Sequence, residues 1–420
     1  MSLTEVEGKR MNKEFFVHNR KKLMEGVEDN SILVLFAGEA PHKSADEHYD
    51  FAPNKNFYYL TGIEREKIIL VITKLNGAVE EKLFIEKSDP VLAKWVGERI
   101  KPEEAREVSG IEKIEYLDDF QRFFGYTMYR PYENLYLDLE REAMGSPMTI
   151  PQNFANDVIK KYPYMRVKNI YGAIENLRML KAPEEIEKMK KAIGITYDGI
   201  KNMMKNAKPG MMEYGVEAYF DFTLKSNGVG VSFKTIAAAG KNGTVLHYSD
   251  NNCKIGDNDL ILCDLGAQYG YYCADITRTF PVNGTFTARQ KAVYNVVLKA
   301  LNEVTNAIKP GVPYGELNEL CRRVLAEGCK ELGIIKDDSE LSKYYFHGVS
   351  HYLGLDTHDV GVRMDLKPGM VLTVEPGLYI EEEGIGIRIE DDVLVTENGH
   401  EVLSKDIIRT AEEIETFMKR

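Results

Sequence analysis

At 420 residues the chain is longer than one hydrophobic core usually organises, so two domains are expected. A hydrophobic content of 44% with 29% charged residues fits a soluble globular protein rather than a fibrous or disordered one. The net charge of −12, without a dense Lys/Arg block, a membrane-length apolar stretch or a signal-peptide pattern, excludes nucleic acid and membrane as main partners and suits a cytoplasmic protein.

Residues 1–10, MSLTEVEGKR, are polar and read as an added leader before a start at Met11. Residues 12–26 read as a helix of mixed charge. NSILVLFAGE, FYYLTGI, KIILVITKL and EKLFIEK follow as strands, rich in β-branched and aromatic residues and bounded by turn residues. DPVLAKWVGERI, with the single tryptophan Trp95, predicts a helix after an Asp-Pro start. ENLYLDLE predicts another strand and PQNFANDVIKKY another helix, so residues 1–175 are expected to form an α/β domain. A long helical segment begins the second domain, 176–420, with Pro183 at a helix start where its missing N–H costs nothing. Beyond it, long strands mixed with helical pairs predict an α+β domain.

That second domain contains a faint internal repeat. Lys208-Pro209-Gly210 leads to Tyr214-Gly215, a helical stretch, His247-Tyr248, a strand ending in Asp264, and then Asp275. Lys309-Pro310-Gly311 leads to Tyr314-Gly315, a helical stretch, His351-Tyr352, a strand ending in Glu375, and then Glu390. Two such halves facing each other in a pseudo-two-fold arrangement would bring four carboxylates to one centre.

Asp264, Asp275, His351, Glu375 and Glu390 each sit in an apolar or glycine-containing run: ILCDLG, CADITRTF, HGVSHYLG, MVLTVEPG and GIRIEDDVLV. A buried carboxylate without a partner costs several kcal/mol or becomes neutral, and converging carboxylates repel. Two divalent cations would remove both penalties, and a carboxylate-rich set with one imidazole suits hard or borderline metals. The bland alternative, an ordinary edge carboxylate, serves for any one acid and poorly for all of them together.

The five cysteines, Cys253, Cys263, Cys273, Cys321 and Cys329, are odd in number and form no CxxC pair, so reduced thiols are the simpler reading. His42 and His48 in APHKSADEHYDF read as surface-loop residues. No phosphate-loop, dinucleotide or GxSxG pattern occurs.

In combination, HGVSHYLGLDTHD, TVEPGLYI, GIGIRIEDDVLV and DLGAQYGYYCADITRTFPVNG closely resemble the metallopeptidases of the pita-bread fold. DFAPNKNFYYLTGIEREKIILVI resembles the N-terminal domain of their Xaa-Pro aminopeptidase (aminopeptidase P) branch. The resemblance covers residues 12–415. It implies that Asp264 binds one ion, that Asp275 and Glu390 bridge two, and that His351 and Glu375 complete the ligands of the second ion. It implies manganese, with cobalt or zinc as substitutes, and Glu375 as the proton carrier between water and leaving nitrogen. His247, His347 and His358 match family positions that line the substrate pocket and assist catalysis. Arg388 matches a position that orders the site by pairing with a carboxylate, and Tyr379 one that binds a ligand carboxylate. Homo-oligomers, dimers or tetramers, are implied by the same analogy.

The expected activity is removal of an N-terminal residue from peptides with proline in second position. A prolidase acting on Xaa-Pro dipeptides is the alternative. Only 23 residues (352–374) separate His351 from Glu375, with Arg363 the one arginine among them, so no long insertion closes the pocket beyond proline. A non-catalytic binding protein on this fold is a third reading, disfavoured because all five ligand positions are retained.

Overall fold

The computed structural model describes residues 10–140 and 143–419, so the expected leader falls outside it except for Arg10. Two compact units divide between Arg178 and Met179, at the end of a helix that spans Tyr171–Met179.

The first unit is built on a six-stranded sheet. Its strands are β1 (Ser31–Phe36), β4 (Ile69–Leu75), β5 (Ala78–Ile85), β6 (Lys113–Tyr116), β7 (Asn134–Leu137) and β8 (Arg166–Asn169), after an exposed two-stranded hairpin of β2 (His42–Ser44) and β3 (Glu47–His48). The order is β6-β5-β4-β1-β7-β8; β5, β4 and β1 run antiparallel to their neighbours among themselves, while β6, β7 and β8 join in parallel. Ile32, Val34, Val71, Phe84, Leu135 and Leu137 form a core with Phe120, Phe124 and Val158. His42 and His48 are exposed as expected, but they face each other on the paired strands of the hairpin rather than in a loop.

Two elements differ from the sequence expectation. FYYLTGI is not a strand but the body of helix α1 (Lys55–Thr61). The Asn54 side chain accepts the Phe57 N–H at 2.9 Å, and Gly62 ends the helix at φ 69°. A Cβ at Gly62 would lie 2.3 Å from the Phe16 ring, so the close approach also demands glycine. A short aromatic run buried on all sides has no period that separates helix from strand. DPVLAKWVGERI holds only the four-residue helix Ala93–Val96. Val91, Leu92, Trp95 and Val96 are exposed, so a longer helix would have no buried face to stabilise it.

The second unit repeats one frame twice. Helices α2 (Pro183–Asn206) and α3 (Glu213–Ser226) precede a sheet of β10 (Ile236–Ala239), β11 (Leu260–Leu265) and β14 (Ile276–Pro281). A small sheet of β9 (Gly230–Val231), β12 (Ala267–Tyr269) and β13 (Tyr272–Cys273) flanks it. Helices α4 (Ala288–Ala307) and α5 (Tyr314–Glu331) precede β15 (Val371–Val374), β18 (Asp391–Thr396) and β19 (Gly399–Val402), with a hairpin of β16 (Gly377–Ile380) and β17 (Ile385–Arg388) between. The strands are short, six residues at most in this unit, rather than the long ones expected. Both Lys-Pro-Gly turns have the same construction. Gly210 (φ 86°) donates to Ile255 O at 2.9 Å and Ile255 N–H returns to Met211 O; Gly311 (φ 84°) donates to Leu366 O at 2.9 Å and Leu366 N–H returns to Val312 O. Positive φ explains the glycine in each copy.

Candidate active site

The second unit encloses a cavity of about 610 Å³. Asp264, Asp275, His351, Glu375 and Glu390 all line it, with His247, His347, His358 and Arg388. Strand register explains the convergence. Asp264 on β11 stands opposite Thr277 on β14, and Asp275 lies two residues before Thr277. Glu375 follows β15 and Glu390 precedes β18, which are paired through Val374 and Asp391. A backbone bond then ties the halves, Glu390 N–H donating to Thr277 O at 3.1 Å, while Glu375 N–H donates to Val349 O at 2.9 Å within the second half.

The carboxylates are crowded. Asp275, His351 and Glu390 each offer a ligand atom within 4.8 Å of the others. Burial first, and then the neighbouring carboxylates, push Asp275 and Glu390 well above the usual range. Burial also pushes Glu375 up to about 7 against the pull of His351 and Arg388. The orientation of His351 sharpens the point. Its Nδ1 donates to Tyr352 O at 3.0 Å, which leaves Nε2 as the ring nitrogen that faces Asp275 Oδ2 at 3.4 Å and Glu375 Oε1 at 3.7 Å. Asp264 Oδ1 is buried without a hydrogen-bond partner. One imidazole nitrogen and several carboxylate oxygens converging in a buried pocket fit a shared divalent cation.

A second network stands behind the acids. Arg388 donates to Asp264 Oδ2 at 2.6 Å, to Tyr379 Oη at 2.9 Å and to Thr277 Oγ1 at 3.1 Å. Thr277 Oγ1 in turn donates to Glu390 Oε2 at 2.7 Å. Tyr379 and Arg388 meet because β16 and β17 pair Gly377 with Arg388, and Tyr379 lies two residues along the same face. A Cβ at Gly377 would sit 2.6 Å from Tyr379 Oη. Tyr379 is buried behind the cavity wall, with its hydroxyl used by Arg388 and His347 rather than presented to a ligand. His347 Nδ1 donates to Gly348 O at 2.8 Å, so Nε2 accepts from Tyr379 Oη, also at 2.8 Å. Burial and then Arg388 hold His347 down to about 4, a neutral ring. His358 stacks beside His351 with ring centroids 4.2 Å apart and is lowered by burial and then by His351.

Sequence reading missed the supporting residues. Thr277, two positions from Asp275 on one strand face, was signalled by spacing alone. Asp391 and Asp392 follow Glu390 directly: Asp392 Oδ2 accepts the Asp275 N–H at 3.3 Å, and Asp391 is buried between Arg278 and Arg409 at 2.7 Å each. Glu213 is fully buried and accepts from Ala239 N, Asn242 Nδ2, Tyr248 Oη and Cys253 N at 2.7–2.9 Å, which fixes the segment carrying His247. The cysteines are all free thiols, with Cys253 alone exposed, and burial raises the thiols of Cys263 and Cys321, as expected of inert rather than nucleophilic groups. No helix among the described residues is long and apolar enough to cross a membrane.

Comparison with known proteins agrees with this geometry. Residues 187–397 match metallopeptidase family M24, and residues 16–136 match the aminopeptidase P N-terminal domain. The chain belongs to metallopeptidase family M24, on its pita-bread fold, and is a metallo-aminopeptidase. Within that family it is 33% identical to an Xaa-Pro aminopeptidase of Escherichia coli, covering 97% of this chain and 98% of that one. It is 32% identical to human Xaa-Pro aminopeptidase 3, covering 92% and 80%. A solved aminopeptidase P structure from Bacillus anthracis superposes with a TM-score of 0.96 at 56% identity, covering 97% of this chain and 99% of that one.

Proposed function

We propose that this chain hydrolyses the bond between an N-terminal residue and a following proline at a dinuclear centre. Similarity to Xaa-Pro aminopeptidases along nearly the whole chain supports the activity. The observation that supports the centre is the convergence of His351 Nε2 with two carboxylate oxygens among buried acids. Asp264 would hold one ion, Asp275 and Glu390 would bridge, and His351 and Glu375 would complete the second. An oxygen-rich set with one imidazole suits manganese, with cobalt or zinc able to substitute. When bound, the ions supply Lewis acidity and a nucleophilic water near neutral pH.

The chain's own groups do the rest. Glu375 moves the proton: its carboxyl stands beside His347 and His351 at 3.7 Å each, facing the cavity. The leaving proline nitrogen needs that proton, because a tertiary amide leaves poorly as an anion. Neutral His347, held by Tyr379, and the exposed edges of His247 and His358 contact the substrate. Arg388 fixes Asp264 and, through Thr277, Glu390. Phe233, Ile236 and Leu246 offer an apolar wall for the pyrrolidine ring. A cytoplasmic dimer or tetramer accords with the family resemblance.

The prolidase reading has one observation behind it: Arg363 lines the same cavity and would suit a dipeptide carboxylate. A manganese-supplemented panel separates the two. Xaa-Pro-Xaa peptides are expected to show a higher kcat/KM than Xaa-Pro, with N-acetylation abolishing cleavage and Xaa-Ala-Xaa cleaved poorly. Preference for the dipeptide would move the assignment to prolidase, and cleavage of neither would overturn the enzyme reading.

A further inference from the structure

Between Tyr352 and Pro368 the chain forms no helix and no strand, only isolated bridges at Tyr352 and Asp365. Thr357, His358 and Arg363 of this segment nevertheless line the catalytic cavity. Something other than regular backbone pairing must fix it. Asp359, the residue after His358, accepts from Lys181 Nζ at 2.7 Å, and both side chains are 1% exposed. Lys181 is itself fixed: its N–H donates to Gly369 O at 2.8 Å, and Gly369 N–H donates to Val395 O at 2.9 Å, within the β15–β18 sheet region. Around the pair the backbone closes on itself. Asp359 N–H donates to Tyr352 O at 2.9 Å, and Cys273 N–H donates to Gly354 O at 2.8 Å. A Cβ at Gly354 would lie 2.2 Å from Asp359 Oδ2 and 2.8 Å from Lys181 Cε, so the pair and a side chain at 354 exclude each other.

A buried ion pair is a weak source of stability, because desolvation offsets most of its attraction and apolar replacement of both partners is often neutral. Its strength lies in geometry: a buried charge has one acceptable place, opposite its partner. We propose that Lys181 and Asp359 are positioning residues, a buried ionic tether that holds His358 against His351 at the substrate side of the metal-binding acids. The tether joins the start of the second unit to an irregular segment that lines the cavity. It rests on the placement of His358 beside the substrate.

The test replaces both charges at once, Lys181→Met with Asp359→Leu, so that neither partner is left facing a neutral one. The metal content and melting temperature of this double variant should stay near those of the parent. Its kcat/KM for an Xaa-Pro-Xaa peptide should fall about 10–100-fold, as when a group that orients a site residue is removed. Adding His358→Ala to the double variant should cost less than about 3-fold more, because the two changes remove one function. In the metal-free protein, amide hydrogen exchange over 354–363 should quicken about 10-fold or more, while the rest of the chain is unchanged. Should the double variant not fold, Asp359→Asn, which keeps the shape and leaves Lys181 a neutral acceptor, is read by kcat/KM, metal content and exchange over 354–363, with a lowered melting temperature expected. Parental kcat/KM and exchange in the folded variant would overturn the proposal, as would losses that multiply fully with His358→Ala. His358→Ala alone separates two failures. Normal turnover there refutes the assignment of His358 and with it the tether's purpose; a slow His358→Ala enzyme beside a fast double variant refutes the tether only.

Discussion

The two halves of the catalytic unit share a frame and differ in what they hang on it. Each has a helix pair, a Lys-Pro-Gly turn closed by the same reciprocal hydrogen bonds, and a short sheet that ends in acids. The His-Tyr step shows where they part. In the first half Tyr248 donates to buried Glu213 at 2.7 Å, and exposed His247 edges the cavity. In the second half Tyr352 donates to Val362 O at 3.0 Å, and His351 turns Nε2 toward Asp275 and Glu375. Equivalent positions therefore serve different ends, one facing substrate and one facing the acids. A duplicated scaffold supplies the convergence, and local hydrogen bonding decides which side chain faces which way.

The largest expected effect tests where the halves act alike. Asp275→Ala and Glu390→Ala remove one acid from each half at the point where both meet. Each should lower kcat/KM at least about 10³-fold, because the charge stabilisation at the reacting centre is lost. A large loss in one and a small loss in the other, measured with saturating manganese, would break the symmetry of the two bridging roles.

The next test separates the paired histidines. His351→Ala should lose bound metal and activity together. His247→Ala should keep the metal and lower kcat/KM about 10–100-fold. Metal content by elemental analysis is the deciding measurement, and loss of metal in His247→Ala with retention in His351→Ala would reverse the assignment.

A pH series tests the crowding itself. Glu375 has an ordinary value of 4.5 and is raised to about 7 in the metal-free fold, with Asp275 and Glu390 raised in the same direction by burial and then by other carboxylates. From these groups the native protein binds more protons than the unfolded chain between pH 4.5 and about 7, so metal-free stability falls as pH rises through that window. Manganese should raise the melting temperature more at pH 8 than at pH 5. A metal-free melting temperature that rises steadily from pH 5 to 8 would contradict the crowded-acid account.

The smallest effect concerns the second-half hairpin. Tyr379→Phe removes the hydroxyl that links Arg388 to His347 and leaves the ring packed. Turnover should fall about 10-fold with metal content unchanged. A stripped centre would show instead that Tyr379 holds the metal-facing network together.

The acids were legible because chemistry placed them where local pattern is strong: a charge ending an apolar strand stands out, whereas His247, His347 and His358 were legible only through the family resemblance. Asp264 after ILC and Glu375 after VLTV needed no tertiary information. Their supports were not legible. Thr277, Glu213 and the Lys181–Asp359 pair draw their meaning from partners as much as 178 positions away. Among the elements, FYYLTGI misled because full burial erases the period that distinguishes helix from strand, and Asn54 with Gly62 decided for helix. DPVLAKWVGERI misled in the opposite sense, since its apolar residues are exposed and give no packing face.

Two ions bridged by one acid from each half is the claim on which the mechanism stands. Elemental analysis of manganese-reconstituted protein tests it most directly, in the parent and in the Asp275→Ala/Glu390→Ala double variant. The parent should hold close to two ions per chain, and the folded double variant about one or fewer, because each bridge serves both. Two ions retained by the folded double variant, or none held by the parent, would contradict it.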